Sequence, residues 1–272
     1  VQTLNPKTIS RLPELRKQIE TSEEEYAETN LKFVRPYCVA YLDQVMRTIR
    51  KSKQVLLMPI HPKVHQYLKQ CGFEFLYGNC INAENFNEEI IVPLIRFLPG
   101  EHTSEDVISW LEQKVIKFIP KINRELRKKI VANLWEIVSN VFVHSESEFG
   151  VSVCGQLYPQ KGYFELAFYD EGIGLANKIK MYGAIKEEDE DYLCIEWALQ
   201  EGTSTTDKPS AGLGLHFLRE FLKINQGNFQ FISGNGYFGN FNSLIAEKLQ
   251  LKNSIEGTLI NLRIMFDNIL EK

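Results

Sequence analysis

Long apolar runs are missing from this 272-residue chain. Nothing approaches the roughly 18 consecutive apolar residues of a membrane span, so no transmembrane segment is read. No charged-then-apolar leader opens it either, so no secretion signal is expected and the default location is cytoplasmic. The chain begins at Val1 rather than Met, which leaves room for residues ahead of it. Basic blocks are also missing: 31 Lys and Arg stand against 35 Asp and Glu, for a net charge of -4. A phosphate backbone would find no concentrated cation patch here, so nucleic acid is not an expected partner. Cysteine is sparse, with five residues (Cys38, Cys71, Cys80, Cys154, Cys194) widely spaced and never in a C-x-x-C pair. That odd count argues against a disulfide framework or a zinc site and for small buried apolar residues in a reducing compartment.

What is present is an ordinary 44% apolar content, enough chain for two modest domains or one large one. Residues 1–85 read as a small module. Asn5 to Glu25 is a charged amphipathic helix interrupted or begun near Pro13, and Leu31-Lys32-Phe33-Val34 is a short strand closed by Pro36. Val39, Leu42, Val45, Met46 and Ile49 repeat at helical spacing, Val55 to Pro59 is a buried strand, and a short helix runs from His61 to a stop at Gly72. Strand, helix, strand and helix in so short a span imply a parallel βαβ crossover. The run from Phe33 through Tyr41-Leu42 and Val55-Leu56-Leu57 to Tyr67-Leu68-Lys69-Gln70-Cys71-Gly72-Phe73 resembles the STAS fold of bacterial anti-sigma-factor antagonists, a protein-interaction domain. Members switched by phosphorylation carry Ser or Thr where this chain has Arg35-Pro36-Tyr37-Cys38, a departure that argues against that control here. His61 and His65 lie one turn apart with no third ligand nearby, and read as a surface pair.

Residues 86–272 carry the candidate chemistry. The polar, Asn-rich stretch Asn79 to Glu89 marks a boundary, and Ile90 to Phe97 reads as an edge strand because Pro93 removes a ladder donor. Thr103-Ser104-Glu105-Asp106 opens one helix, Pro120 breaks it, and a second runs from about Asn123 to His144. On that second helix Glu136, Asn140 and His144 fall on one stripe at about 100° per residue. Ile130, Leu134, Val138 and Val141 turn towards a core. A carboxylate and a carboxamide one turn apart suit a water and a magnesium ion beside a phosphate.

A hairpin follows, from Val151 to Cys154 and from Tyr163 to Tyr169, with Pro159 to Gly162 as its turn. It ends in Asp170-Glu171-Gly172-Ile173-Gly174, where an acid at a strand end can accept a purine N–H and glycines let backbone approach a flat base. Lys178 to Asp191 is charged and weakly periodic, and Tyr192 to Gln200 reads as a helix. Thr203, Ser204, Thr205, Thr206 and Lys208 then lead through Gly212-Leu213-Gly214-Leu215 into another helix. Its free N–H groups would receive an anion, the whole span serving as a lid. Phe229 to Ile232 and Leu259 to Phe266 read as closing strands turned by Gly234-Asn235-Gly236, with Gly257-Thr258 just before the last.

In order and spacing, Glu136/Asn140/His144, Asp170-x-Gly172-x-Gly174, Gly212-Leu213-Gly214-Leu215 and Gly257-Thr258 resemble the GHKL ATPases: histidine kinases, anti-sigma kinases, type II topoisomerase subunits and mismatch-repair ATPases. The resemblance covers roughly residues 100–270. It implies an α/β fold, a two-layer α/β sandwich of the Bergerat type with ATP between helices and a mixed sheet, preceded by the STAS-like βαβ domain. It implies ATP and Mg2+ as cofactors, Asn140 on the metal, Glu136 activating water, Asp170 and Thr258 on adenine, and Ser204 or Thr205 on the terminal phosphate. Gly172, Gly174, Gly212 and Gly214 would shape pocket and lid. His144 leans to the kinase side of the family, and Val141 replaces its usual Ala. The expected function is a slow Mg-ATPase whose lid closure gates a protein partner bound through the amino-terminal module, or a homodimer contact. A serine or histidine protein kinase of the anti-sigma type and a non-hydrolysing nucleotide-dependent module are the alternatives.

Overall fold

Strand alternation decides the architecture. In Tyr163–Asp170 every residue is buried, because Phe164, Leu166 and Phe168 turn to one face of the sheet while Ala167 and Tyr169 turn to the other. A strand buried on both faces sits inside a sheet covered on both sides. The computed structural model describes residues 9, 11–76, 89–119, 122–205, 214–224, 226–241 and 245–265.

The amino-terminal stretch runs α1 (Leu12–Glu20), β1 (Tyr26–Thr29), α2 (Pro36–Arg50), β2 (Leu56–Pro59) and α3 (Pro62–Gln70). β1 and β2 pair in parallel across α2, the crossover expected. The first strand is displaced: Leu31 to Val34 is irregular, with Phe33 exposed, and Tyr26–Thr29 is the strand. Its polar sequence hid it, since only Ala27 and Thr29 face inward. His61 caps α3, its Nδ1 accepting from the Lys63 amide at 3.3 Å.

The remaining chain forms β3 (Ile91–Phe97), α4 (Ser104–Trp110), α5 (Arg124–Asn140), β4 (Val151–Tyr158), β5 (Tyr163–Asp170), α6 (Leu175–Tyr182), α7 (Asp191–Ala198), α8 (Gly214–Ile224), β6 (Asn228–Gly239) and β7 (Glu247–Met265). Thr103 and Asp106 close a capping box on α4, and Asn123 caps α5 through the Leu126 amide at 2.8 Å. The molecule is a mixed α/β protein built on a five-stranded sheet of order β3-β4-β5-β7-β6. Pro93 falls at a register shift between Val92 and Ile95 on the edge strand β3, where the missing N–H does least harm.

The sheet corrects the expectation of mixed pairing: among the described strands every neighbour in it is antiparallel. β5 and β6 do run in the same direction, but β7 returns between them and pairs with both. Gly234-Asn235-Gly236 does not turn the chain; it lies within β6 at a bulge. Glycine is needed there because the start of α7 presses on it. A Cβ at Gly234 would meet Asp191 Oδ2 at 2.4 Å, and one at Gly236 would meet the Tyr192 nitrogen at 2.5 Å. The span read as charged and weakly periodic, Lys178 to Asp191, begins inside α6, whose Ala176 and Ile179 are buried.

Two cores flank the sheet. On one face α4, α5, α6, α7 and α8 bury Leu134, Val138, Ile195 and Leu218 against Val153, Phe168 and Ile260. On the other, α1, α2 and α3 share a core with Cys154, Tyr169, Ile232 and Leu259. The amino-terminal module therefore does more than precede a sandwich: it covers the sheet's second face. Cys38, Cys71, Cys154 and Cys194 are buried thiols, and no helix among the described residues is long and apolar enough to cross a membrane.

Candidate functional site

The end of α5 is where local sequence and site geometry meet. After Asn140 the helix widens into a π-helical turn, Val141–Ser145, and stops at Glu146 in the left-handed region (φ 55°). Such turns re-aim side chains and recur at functional sites. Here the turn is pinned to the glycine loop: the Ile173 amide donates to the Ser145 carbonyl at 2.8 Å. A Cβ at Gly172 would lie 2.0 Å from that same oxygen, so only glycine lets the two segments touch.

A second close approach joins that loop to β7. Gly257 (φ 69°) rests on Asp170, where a Cβ would come within 1.8 Å of its carbonyl oxygen. Gly174 (φ 79°) rests on Gly257, with 2.7 Å between the corresponding Cβ position and its oxygen. Thr258 is then paired with Asp170 across the ladder, and its Oγ1 accepts from the Leu175 amide at 2.9 Å, capping α6. Ser233 Oγ does the same for Ala176 at 3.1 Å.

These contacts leave a partly open cleft between the helix layer and the sheet. Glu136 and Asn140 line it from α5, His144 from the π-helical turn that follows, Asp170 from β5, and Thr258 from β7. Gly174, Ser204, Thr205 and Leu215 complete the predicted residues that reach it. Gly172 stands behind the wall as a spacer, and Gly214 begins α8. Lys208, Gly212 and Leu213 lie outside the described residues, as does the rest of the span 206–213. The remaining wall is largely apolar, from Ile137, Phe168, Leu175, Trp197 and Ile260.

Burial sets the protonation of the cleft's acids. Desolvation lifts the Asp170 carboxyl to about 7, against the pull of the Gly172 and Thr258 amides, which favour its anion. Gly172 N reaches Asp170 Oδ1 at 3.1 Å. Glu136 is raised by desolvation as well. Lys178 supplies an ammonium to the wall, 3.9 Å from Glu146 Oε1 and partly exposed. Sequence reasoning missed Lys178 because it treated residues 178–191 as one charged span. Leu175, Ala176 and Ile179 were the signal, an apolar stripe that starts a helix at the glycine loop and puts Lys178 on its first turn.

Chemically, the cleft can take a flat apolar ring against its walls, accept an N–H at Asp170, and offer hydroxyls and one ammonium to an anion. It keeps a half-buried carboxylate and a carboxamide on one helix face. The chain matches no protein-family model and no curated protein sequence.

Proposed function

We propose that this chain is a Mg-ATP-binding protein of GHKL type that hydrolyses ATP slowly and uses the bound nucleotide to gate a protein partner. One observation carries this reading: residues from α5, β5, β7, the 203–205 segment and the start of α8, chosen from the sequence for nucleotide roles, line a single cleft. The donor set fits the ligand. Asp170 accepts from the adenine amine, the apolar walls take the ring, and Lys178, Ser204 and Thr205 face the phosphates. Asn140 would contribute its side-chain oxygen to a magnesium ion, which would supply charge neutralisation to the phosphates.

Glu136 is the general base. Desolvation raises its affinity for a proton, which suits a group that must take one from water near neutral pH. Nucleotide at one hundred times its dissociation constant would stabilise the bound state by about 2.7 kcal/mol, enough to shift a conformational population. Calorimetry and phosphate release test the reading together. Glu136→Gln keeps ATP affinity within about twofold and lowers turnover by about 100-fold or more; unchanged turnover removes Glu136 from its role. Phosphate found on a protein partner instead of in water would convert the assignment to a kinase.

A further inference from the structure

Asp170 and Glu171 are consecutive, yet they face opposite layers. Asp170 lines the cleft, while the Glu171 side chain is only 3% exposed and is held by the amino-terminal module. Arg16 of α1 donates to Glu171 Oε1, and Thr48 in the last turn of α2 donates to Oε2. The same Arg16 Nη1 lies 2.9 Å from Glu256 Oε2, two residues before Thr258. Arg16 is itself steadied by Glu20 at 2.6 Å on its own helix. One guanidinium thus joins, from behind, the two segments that present Asp170 and Thr258 to the cleft. Between them Gly257 packs on the Asp170 carbonyl with no room for a side chain, so movement of either segment moves the other.

We infer that Arg16 is a positioning residue for the cleft: it holds Glu171 and Glu256 together and so fixes the spacing of Asp170 and Thr258. The amino-terminal helix is thereby coupled to occupancy of the site. The charge arrangement supplies the reason. Glu171 and Glu256 repel one another at the end of the β5-β7 ladder, so without the cation that end loosens and the spacing of Asp170 and Thr258 is less firmly set. Linkage makes the coupling reciprocal: ligand in the cleft tightens the seat of α1, and a partner that lifts α1 weakens the ligand. This rests on the nucleotide reading above and adds the route by which the site is regulated.

The test uses the full chain. Mg-ATP affinity is measured by calorimetry for wild type, Arg16→Ala, Arg16→Lys, Glu171→Gln and the Arg16→Ala/Glu171→Gln pair. Amide exchange of residues 12–20 is followed with and without Mg-ATP. Arg16→Ala is expected to weaken ATP by about tenfold. Arg16→Lys, which keeps the charge but loses the fork, should recover part of the loss. The double variant should bind no more weakly than the worse single one. Saturating ATP should slow exchange in α1 more in the wild type than in Arg16→Ala, a difference beyond the general stabilisation by ligand that a purely structural role for Arg16 would not produce. Wild type that binds ATP with unchanged exchange in α1, or Arg16→Ala that binds as tightly as wild type, overturns the inference alone. Wild type that binds no adenine nucleotide overturns the nucleotide reading and this inference with it.

Discussion

The two faces of one sheet are filled in opposite ways. On the helix-side face, Phe168, Ile260 and Asp170 border an open cleft. On the face under the amino-terminal module, the equally buried Glu165 is surrounded by partners. Arg35 lies at 2.7 Å, Asn261 at 3.3 Å and Arg263 at 3.4 Å. Asp43 is treated similarly, accepting from Ser152 Oγ at 2.6 Å while Arg47 stands at 3.0 Å. Aromatic rings extend the shielding: Arg35 sits over Phe33 and Tyr158, and Arg263 over Tyr163 and Phe241. A buried acid whose partners come from the protein holds layers together. A buried acid that instead faces an open cleft, its proton held by desolvation, is available to a ligand.

That contrast can be broken by experiment, beginning with the paired face. Arg35→Ala leaves Glu165 buried without its nearest cation and should cost about 3–5 kcal/mol of stability. A chemical denaturation midpoint near wild type would mean that the pair holds nothing. On the open face, Asp170→Ala should leave the fold intact and weaken ATP by about 1.5–3 kcal/mol, the range for a hydrogen bond to a charged group. Calorimetry showing equal affinity would remove Asp170 from the base site.

Protonation sharpens the comparison further. The folded protein holds the Asp170 proton up to about 7, whereas an unfolded chain releases it near 4. The native state therefore binds more protons across that window, and ligand-free stability should fall as pH rises from about 4 through about 7, then level off. Glu136 and Glu171, both raised by burial, act in the same sense. ATP affinity should run the other way, improving up to about pH 7 as the acceptor ionises. Melting curves of wild type against Asp170→Ala across this range isolate the group, and a constant difference between them would contradict it. The smallest effect is expected at Lys178: exchange for alanine should weaken ATP by several-fold, less so as salt is raised, because the ammonium is partly exposed.

Legibility followed the range of the interaction that carries each feature. The hairpin β4-β5, the capped starts of α4 and α5 and the shared helix position of Glu136 and Asn140 depend on neighbours a few residues apart, and the sequence states them directly; His144 instead follows in a π-helical turn that the expected helix to His144 did not include. β1 was misplaced because its inward residues are only Ala27 and Thr29, and its stability comes from pairing with Leu56–Pro59. Gly234 and Gly236 looked like a turn, since glycine pairs usually are; their cause is the distant Asp191, whose Oδ2 accepts from the Asn235 amide at 2.8 Å. Glu171 looked like a variable position inside a glycine motif, and nothing near it in the chain announces Arg16.

By itself, the amino-acid order determined most of the elements, the face each of those buries and the polar residues that share the end of one helix, because helix and strand periodicity and backbone glycine freedom act locally. Only the tertiary structure decided that β7 runs between β5 and β6, that the amino-terminal module covers the second face of the sheet, and that Glu171 belongs to that module while Asp170 belongs to the cleft. Those outcomes depend on which surfaces meet after the chain has folded back on itself. Burial, which sets the charge of Asp170 and the grip of Arg16, exists only once they do.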